Sequence, residues 1–193
     1  KTQTACLCWS CSDAHVNRRL WAILAVAFGV GLSVLDSAIA NVALPTIGQE
    51  LGISSADSIW IVNAYQLAIM ISLLSFSALG DVVGYRKVYI GGLMLFTVAS
   101  VGCALSTSLP TLVLARVMQG FGAAAVTSVN TTLIRIIYPK AQLGRGMGIN
   151  ATVVAVSSVA GPTIAAGILS IAHWPWLFAV NIPVGAVFMN LSA

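Results

Sequence analysis

Charge is what this sequence has least of. Of its 193 residues only 7% are charged, five acids against nine bases, whereas roughly a quarter of a soluble domain is charged. So little polar surface cannot cover a water-facing particle of this size, which excludes an ordinary globular protein. Histidine is scarce as well: His15 and His173 stand alone, with no nucleophile or carboxylate constellation around them, which argues against an enzyme. The four cysteines do not form a secreted disulfide framework. Cys103 lies in an apolar run as a small packing residue, and Cys6, Cys8 and Cys11 crowd the amino-terminal tail without a fourth ligand at finger-like spacing. No metal and no cofactor is expected.

Apolar side chains fill the space that charge leaves. They make up 59% of the chain, so lipid is the expected solvent for most of it. The net charge of +4 then reads as a topology signal, and no nucleic-acid partner is expected. Six apolar runs, at about 20–44, 58–79, 88–106, 111–137, 146–171 and 176–193, follow a polar tail at 1–19. Most approach the roughly 20 residues that a helix needs to cross a bilayer, which predicts an all-α membrane protein built as a six-helix bundle. Arg18 and Arg19, the first apolar run and Ala38-Ile39-Ala40 imitate a signal peptide, yet the run is long, contains Asp36 and precedes further spans. Alternating spans with the amino terminus inside put Arg18, Arg19, Arg86, Lys87, Arg135, Lys140 and Arg145 on or near the cytoplasmic side. The three opposite connections carry no Lys or Arg, so the expectation is a multi-pass protein of the inner (plasma) membrane with a cytoplasmic amino terminus.

Two charges fall within the spans. Asp36 lies 16 residues beyond Leu20, roughly 24 Å from the cytoplasmic start of its helix, and Arg116 lies roughly 8 Å into a helix that starts outside. In a core about 30 Å thick both occupy the outer half, where an acid and a base can bias each other's ionisation. A carboxylate at membrane depth is costly enough to be a functional-site hypothesis by default. At 100° per residue, Arg116, Gln119, Thr127 and Asn130 fall within an arc of about 60°, while Ser33, Asp36, Ser37 and Ala40 form a similar stripe. Asn63, Gln66 and Met70 share a face of the second span. From spacing alone, the pair is either a structural tie between two helices or part of a polar path, and the stripes line either a water-filled cavity or ordinary helix contacts.

The segment from Ser77 to Lys87 resembles the loop signature of the major facilitator superfamily, G-x-L-A/G-D-R-x-G-R-R/K. Leu79, Asp81, Gly84, Arg86 and Lys87 match, while Ser77, Val82 and Tyr85 depart from it. Leu114 to Ala124 is similar to the family's fourth-span motif, whose arginine, here Arg116, is associated with proton transfer. Gly148, Ser157, Gly161, Pro162, Ala165 and Ala166 follow the spacing of the fifth-span antiporter motif G-x8-G-x3-G-P-x2-G-G. Leu35 to Pro45 resembles L-D-x-T-x-x-N-x-A-L-P of proton-coupled drug antiporters, with Asp36 and Asn41 in place and Ala38 where Thr is usual. Trp174 to Gly185 is similar to the W-R-W-x-F-x-x-N-x-P-x-G run of the fourteen-span drug:proton antiporter family, with Pro175 at the arginine position.

The resemblance implies the amino-terminal half of a transporter made of 3+3 inverted repeats, which moves substrate by rocking two halves about a midplane site. It implies a proton-driven exporter of small lipophilic or cationic drugs, powered by the proton gradient and needing lipid and a carboxy-terminal half. The first residue, Lys1, and the apolar end at Ala193 agree with half of a longer chain. Asp36 and Arg116 would couple protons. Asn41, Asn63, Gln66, Met70, Gln119, Thr127 and Asn130 would line the substrate cavity. Asp81, Gly84, Arg86, Lys87, Gly148, Gly161 and Pro162 would serve the conformational change. The alternatives are a facilitator of the same fold for a metabolite or siderophore, or a non-transporting fragment that needs a partner half.

Overall fold

A computed structural model describes residues 3–137, 143–171, 173–182 and 185, with side chains described from residue 27 onward except at 131 and 135–137. The chain forms α1 (Gln3–Glu50), α2 (Ser55–Val83), α3 (Tyr85–Ala104), α4 (Leu109–Ile137), α5 (Leu143–Leu169) and the short α6 (Pro175–Ala179). Among the described residues there is no strand, and five helices are long and apolar enough to cross a membrane. The sixth apolar run is described only as far as its first turns. Most of 183–193, Lys140, and the side chains of Cys6, Cys8, Cys11, Arg18, Arg19 and Arg135 lie outside the described residues.

Local chemistry sets where the helices begin and end. The first apolar run is the middle of a longer helix, which continues through Pro45 to Glu50. Pro45 has no N–H, so the Asn41 carbonyl loses its partner one turn back. Ser54 then starts α2: its Oγ accepts from the Asp57 backbone N–H at 3.2 Å and donates to Asp57 Oδ2 at 2.7 Å. This cap, with an acid in the first turn, brings the helix start to Ser55, ahead of the apolar run at 58. Gly84 alone separates α2 from α3, and its φ of 101° is a conformation that side chains disfavour. Its N–H closes α2 on the Gly80 carbonyl at 3.0 Å, while its own carbonyl receives the Val88 N–H at 3.2 Å. Ser108 and Thr111 hydroxyls, 2.9 Å apart, hold the start of α4 around Pro110.

Helix α4 packs along both α2 and α3, α1 lies along α5 and also touches α4 and α2, and α6 meets α3. One apolar cluster gathers Val30, Tyr65, Tyr89, Leu93, Phe96 and Val126. A second gathers Ile39, Ile47, Ile61, Leu112, Leu177 and Phe178. In lipid such clusters hold by close packing rather than by escape from water. Other large apolar side chains, among them Ile71, Leu74, Val159 and Ile171, point outward, as suits a hydrocarbon solvent. Helix α5 is the least covered of the long helices: its described buried residues are Gly146, Gly161 and Ala165.

Candidate functional site

The inner stripe of α1 is where the sequence placed it. Ser33 donates to the Gly29 carbonyl at 3.1 Å, its own carbonyl accepts from the Tyr65 hydroxyl at 3.3 Å, and Ala40 is fully buried one turn beyond Asp36. With the small neighbours Ser33 and Ala40 on this face, the Asp36 carboxylate enters the bundle and is left 1% exposed. It meets Arg116 of α4, which is wholly buried, and the Arg116 Nη1 donates to Asp36 Oδ2 at 2.6 Å.

Two amides complete the carboxylate's partners. Gln119, three residues along α4, donates from Nε2 to Asp36 Oδ1 at 3.0 Å, and Asn181, just after α6, donates from Nδ2 to the same oxygen at 2.5 Å. Gln119 also accepts from Arg116 Nη1 at 2.8 Å and from Cys103 Sγ at 3.4 Å, and its Nε2 reaches the Ser100 hydroxyl of α3 at 2.9 Å. The guanidinium carbon lies 4.5 Å from the centre of the Tyr65 ring of α2 and 5.3 Å from that of Phe178 of α6. Helices α1, α2, α3 and α4 and the α6 segment therefore meet at one charged node.

The arrangement follows from the penalty on buried charge. A lone carboxylate here would be prohibitive, whereas a paired one with donors on both oxygens is tolerable. Arg116 Nε and Nη2 have no hydrogen-bond partner, and the faces of Tyr65 and Phe178 provide the electron-rich surroundings that a cation otherwise lacks. A carboxylate only accepts hydrogen bonds, and the Arg116 guanidinium and the Gln119 and Asn181 amides supply the donors that Asp36 receives.

The remaining predicted residues do not join this node. Asn130 is buried nearer the end of α4 and donates from Nδ2 to Asn150 Oδ1 of α5 at 3.1 Å. Thr127 is half-buried and returns its hydroxyl to the Ala123 carbonyl at 2.8 Å. Asn41 is exposed and donates to the Ser37 carbonyl of its own helix at 2.9 Å. Asn63, Gln66 and Met70 share an exposed face of α2. At the α2–α3 junction Asp81 accepts from the Tyr85 hydroxyl, beside exposed Arg86 and Lys87 and the turn at Gly84. Gly148 is open, Pro162 is exposed, and Gly161 packs so closely on α1 that a Cβ would lie 2.5 Å from that of Ala38. At the other end, His173 Nδ1 and Glu50 Oε1 are 3.7 Å apart on the surface.

Spacing along single helices missed Tyr65, Ser100, Phe178 and Asn181 as members of the node. For Asn181 and Phe178 a signal existed, since both stand in the segment from Trp174 to Gly185. For Ser100 and Tyr65 only the packing of α2 and α3 on α4 reveals them.

Comparison with known proteins agrees with this architecture. The chain is 62% identical over 175 residues to the uncharacterized transporter YebQ of Escherichia coli (strain K12), covering 91% of this chain and 38% of that protein. It is 34% identical over 178 residues to the riboflavin transporter RibZ of Clostridioides difficile (strain 630), covering 91% and 39%. It is 39% identical over 163 residues to the tetracenomycin C resistance and export protein of Streptomyces glaucescens, covering 84% and 30%. The chain thus spans about two fifths or less of the length of these curated relatives. The crystal structure of a bacterial homolog of the human lysosomal transporter Spinster, inward-facing and unoccupied, has the same fold at a TM-score of 0.72 and 19% identity, over 91% of this chain and 42% of that one. Residues 26–192 match the family model described as Major Facilitator Superfamily, and the chain belongs to that family.

Proposed function

We propose that this chain is the amino-terminal half of a proton-coupled transporter, rather than an enzyme, that exports lipophilic or cationic drugs by antiport and resembles the fourteen-span drug:proton antiporters. The observation that carries this reading is the buried Asp36, ion-paired at 2.6 Å to Arg116 and held by the amides of Gln119 in α4 and Asn181 just after α6. An intramembrane carboxylate of this kind marks an ion or proton pathway. With the cavity open outward, Asp36 takes a proton from the outer side. The neutral carboxyl no longer balances Arg116, so the tie between α1 and α4 changes with each proton. Binding of a lipophilic cation competes with that proton, which gives exchange of one for the other.

Asn41, Asn63, Gln66, Met70, Gln119, Thr127 and Asn130 are the residues that we assign to the drug. The exposed lengths of α2 and α5 face the carboxy-terminal half, and Asp81, Gly84, Arg86 and Lys87 with Gly148, Gly161 and Pro162 serve the rocking of one half on the other. The protein lies in the inner (plasma) membrane with its amino terminus in the cytoplasm and uses the proton gradient without a cofactor. The similarity to a tetracenomycin C resistance and export protein supports this reading. Drug accumulation in cells making the full-length protein tests it. Several dyes and quaternary ammonium compounds should be kept out only while a proton gradient exists, and Asp36→Asn should abolish the exclusion while the protein still inserts.

The similarity to a riboflavin transporter favours a second reading, a carrier of the same fold for a metabolite. Gradient-independent uptake of riboflavin, with no exclusion of any dye, would establish that reading instead.

A further inference from the structure

Each group bonded to Asp36 presents a donor to it. Arg116 Nη1 reaches Oδ2 at 2.6 Å, while the Gln119 and Asn181 amides share Oδ1 through Nε2 at 3.0 Å and Nδ2 at 2.5 Å. Such a shell suits a carboxylate, and it opposes a carboxylic acid, whose O–H needs an acceptor of its own. On Oδ2 that O–H would lie beside the Arg116 guanidinium, which has only donors. The other titratable groups nearby are Tyr65 of α2 and Cys103 of α3, and their hydrogens go to the Ser33 carbonyl and to Gln119 Oε1. Helix α5 beyond Arg145 and residues 175–182 bring no charged or titratable side chain.

The two amides differ in their freedom to turn. Gln119 Oε1 accepts from Arg116 Nη1 at 2.8 Å and from Cys103 Sγ at 3.4 Å, so reversing that amide would set an N–H against the guanidinium. Asn181 has no such obligation. Its Oδ1 is buried and has no hydrogen-bond partner among the described residues, a state that native structures seldom keep without a reason. The oxygen and nitrogen of an amide are close in size, and the last torsion of asparagine is broad and roughly two-fold, so half a turn about it needs no new space. The turn leaves one end of the amide unpartnered, as before.

We propose that Asn181 is the positioning residue for the proton on Asp36: it donates from Nδ2 to the ionised carboxylate, and its amide turns so that Oδ1 accepts the O–H of the protonated one. The inference rests on the reading of Asp36 as the proton site and adds what holds the proton there. The incoming proton forms one O–H bond on Asp36 Oδ1, no covalent bond breaks, and Gln119 keeps its place. Asn181, and with it the segment after α6, stays tied to α1 in either state.

Infrared difference spectra of the full-length protein in lipid, acidic against alkaline buffer, test this. Acidification of wild type should bring up a carboxyl C=O band together with a shift of one side-chain amide C=O band, and both should be lost in Asp36→Asn. Labelling asparagine with ¹³C should move the amide band and labelling glutamine should not, which separates Asn181 from Gln119 without altering either residue. Asn181→Leu should abolish the amide shift and keep the carboxyl band, moved to higher frequency because its O–H has lost an acceptor. A carboxyl band with no asparagine shift, or with a shift that follows the glutamine label, would overturn the role of Asn181 and leave Asp36 as the proton site. Absence of any Asp36-dependent carboxyl band would overturn both readings, so the two failures are told apart.

Discussion

Two polar contacts of α4, centred 14 residues apart, show how differently a charge and a neutral amide are accommodated in the same bundle. At Arg116 the helix contributes a guanidinium that meets a carboxylate, and side chains from α1, α2, α3 and the α6 segment close around them. At Asn130 it contributes an amide that is content with one bond to Asn150 of α5 at 3.1 Å and leaves its Oδ1 without a partner. The first contact organises the bundle, while the second only joins two helices. The difference follows from desolvation, since an unpaired ion is far more expensive in a low dielectric than an unpaired amide oxygen.

Three substitutions can break or sharpen that contrast. Arg116→Ala has the largest expected effect, because it strands Asp36 without its countercharge; a loss of about 3–5 kcal/mol is expected for breaking one side of a buried pair. Thermal unfolding of the detergent-solubilised full-length protein reads it. The double variant with Asp36→Asn should recover much of the loss, and equal damage in single and double variants would remove charge pairing as the reason for the node. Gln119→Leu comes next. It takes one donor from Asp36 and leaves Ser100 and Arg116 short of a partner, so about 1–3 kcal/mol should go, measured in the same way. Asn130→Leu should cost least, about 0.6 kcal/mol, as is typical of a neutral interhelical hydrogen bond in a membrane. If Asn130→Leu proved as damaging as Gln119→Leu, the two contacts would not differ in kind.

Depth was legible in the sequence, and azimuth between helices was not. Counting residues from the ends of the apolar runs put Asp36 and Arg116 at one level, and the side chains meet there at 2.6 Å. The same counting is blind to which face of α3 or α2 turns toward α4, so Ser100 and Tyr65 came only from the packing. Helical phase also grouped Asn63, Gln66 and Met70 correctly on one face of α2, yet could not say that this face is exposed while the Arg116 stripe is buried. Helix ends were shifted by caps that hydropathy ignores, such as Ser54 with Asp57, and by α1 continuing through Pro45. The loop signature gave Gly84 its turn, but the hydroxyl that Tyr85 brings to Asp81, at a position where the signature has arginine, emerges only in three dimensions.

The claim on which the rest depends is that Asp36 exchanges the proton. Purified full-length protein reconstituted in proteoliposomes with a pH-sensitive dye inside tests it directly, by adding a lipophilic cation in the presence of an imposed proton gradient. Wild type should move protons when the cation is added, and Asp36→Asn, equally inserted, should leave the internal pH unchanged. Cation-dependent proton movement persisting in Asp36→Asn at the wild-type rate would contradict the account and leave Asp36 as a structural tie between α1 and α4.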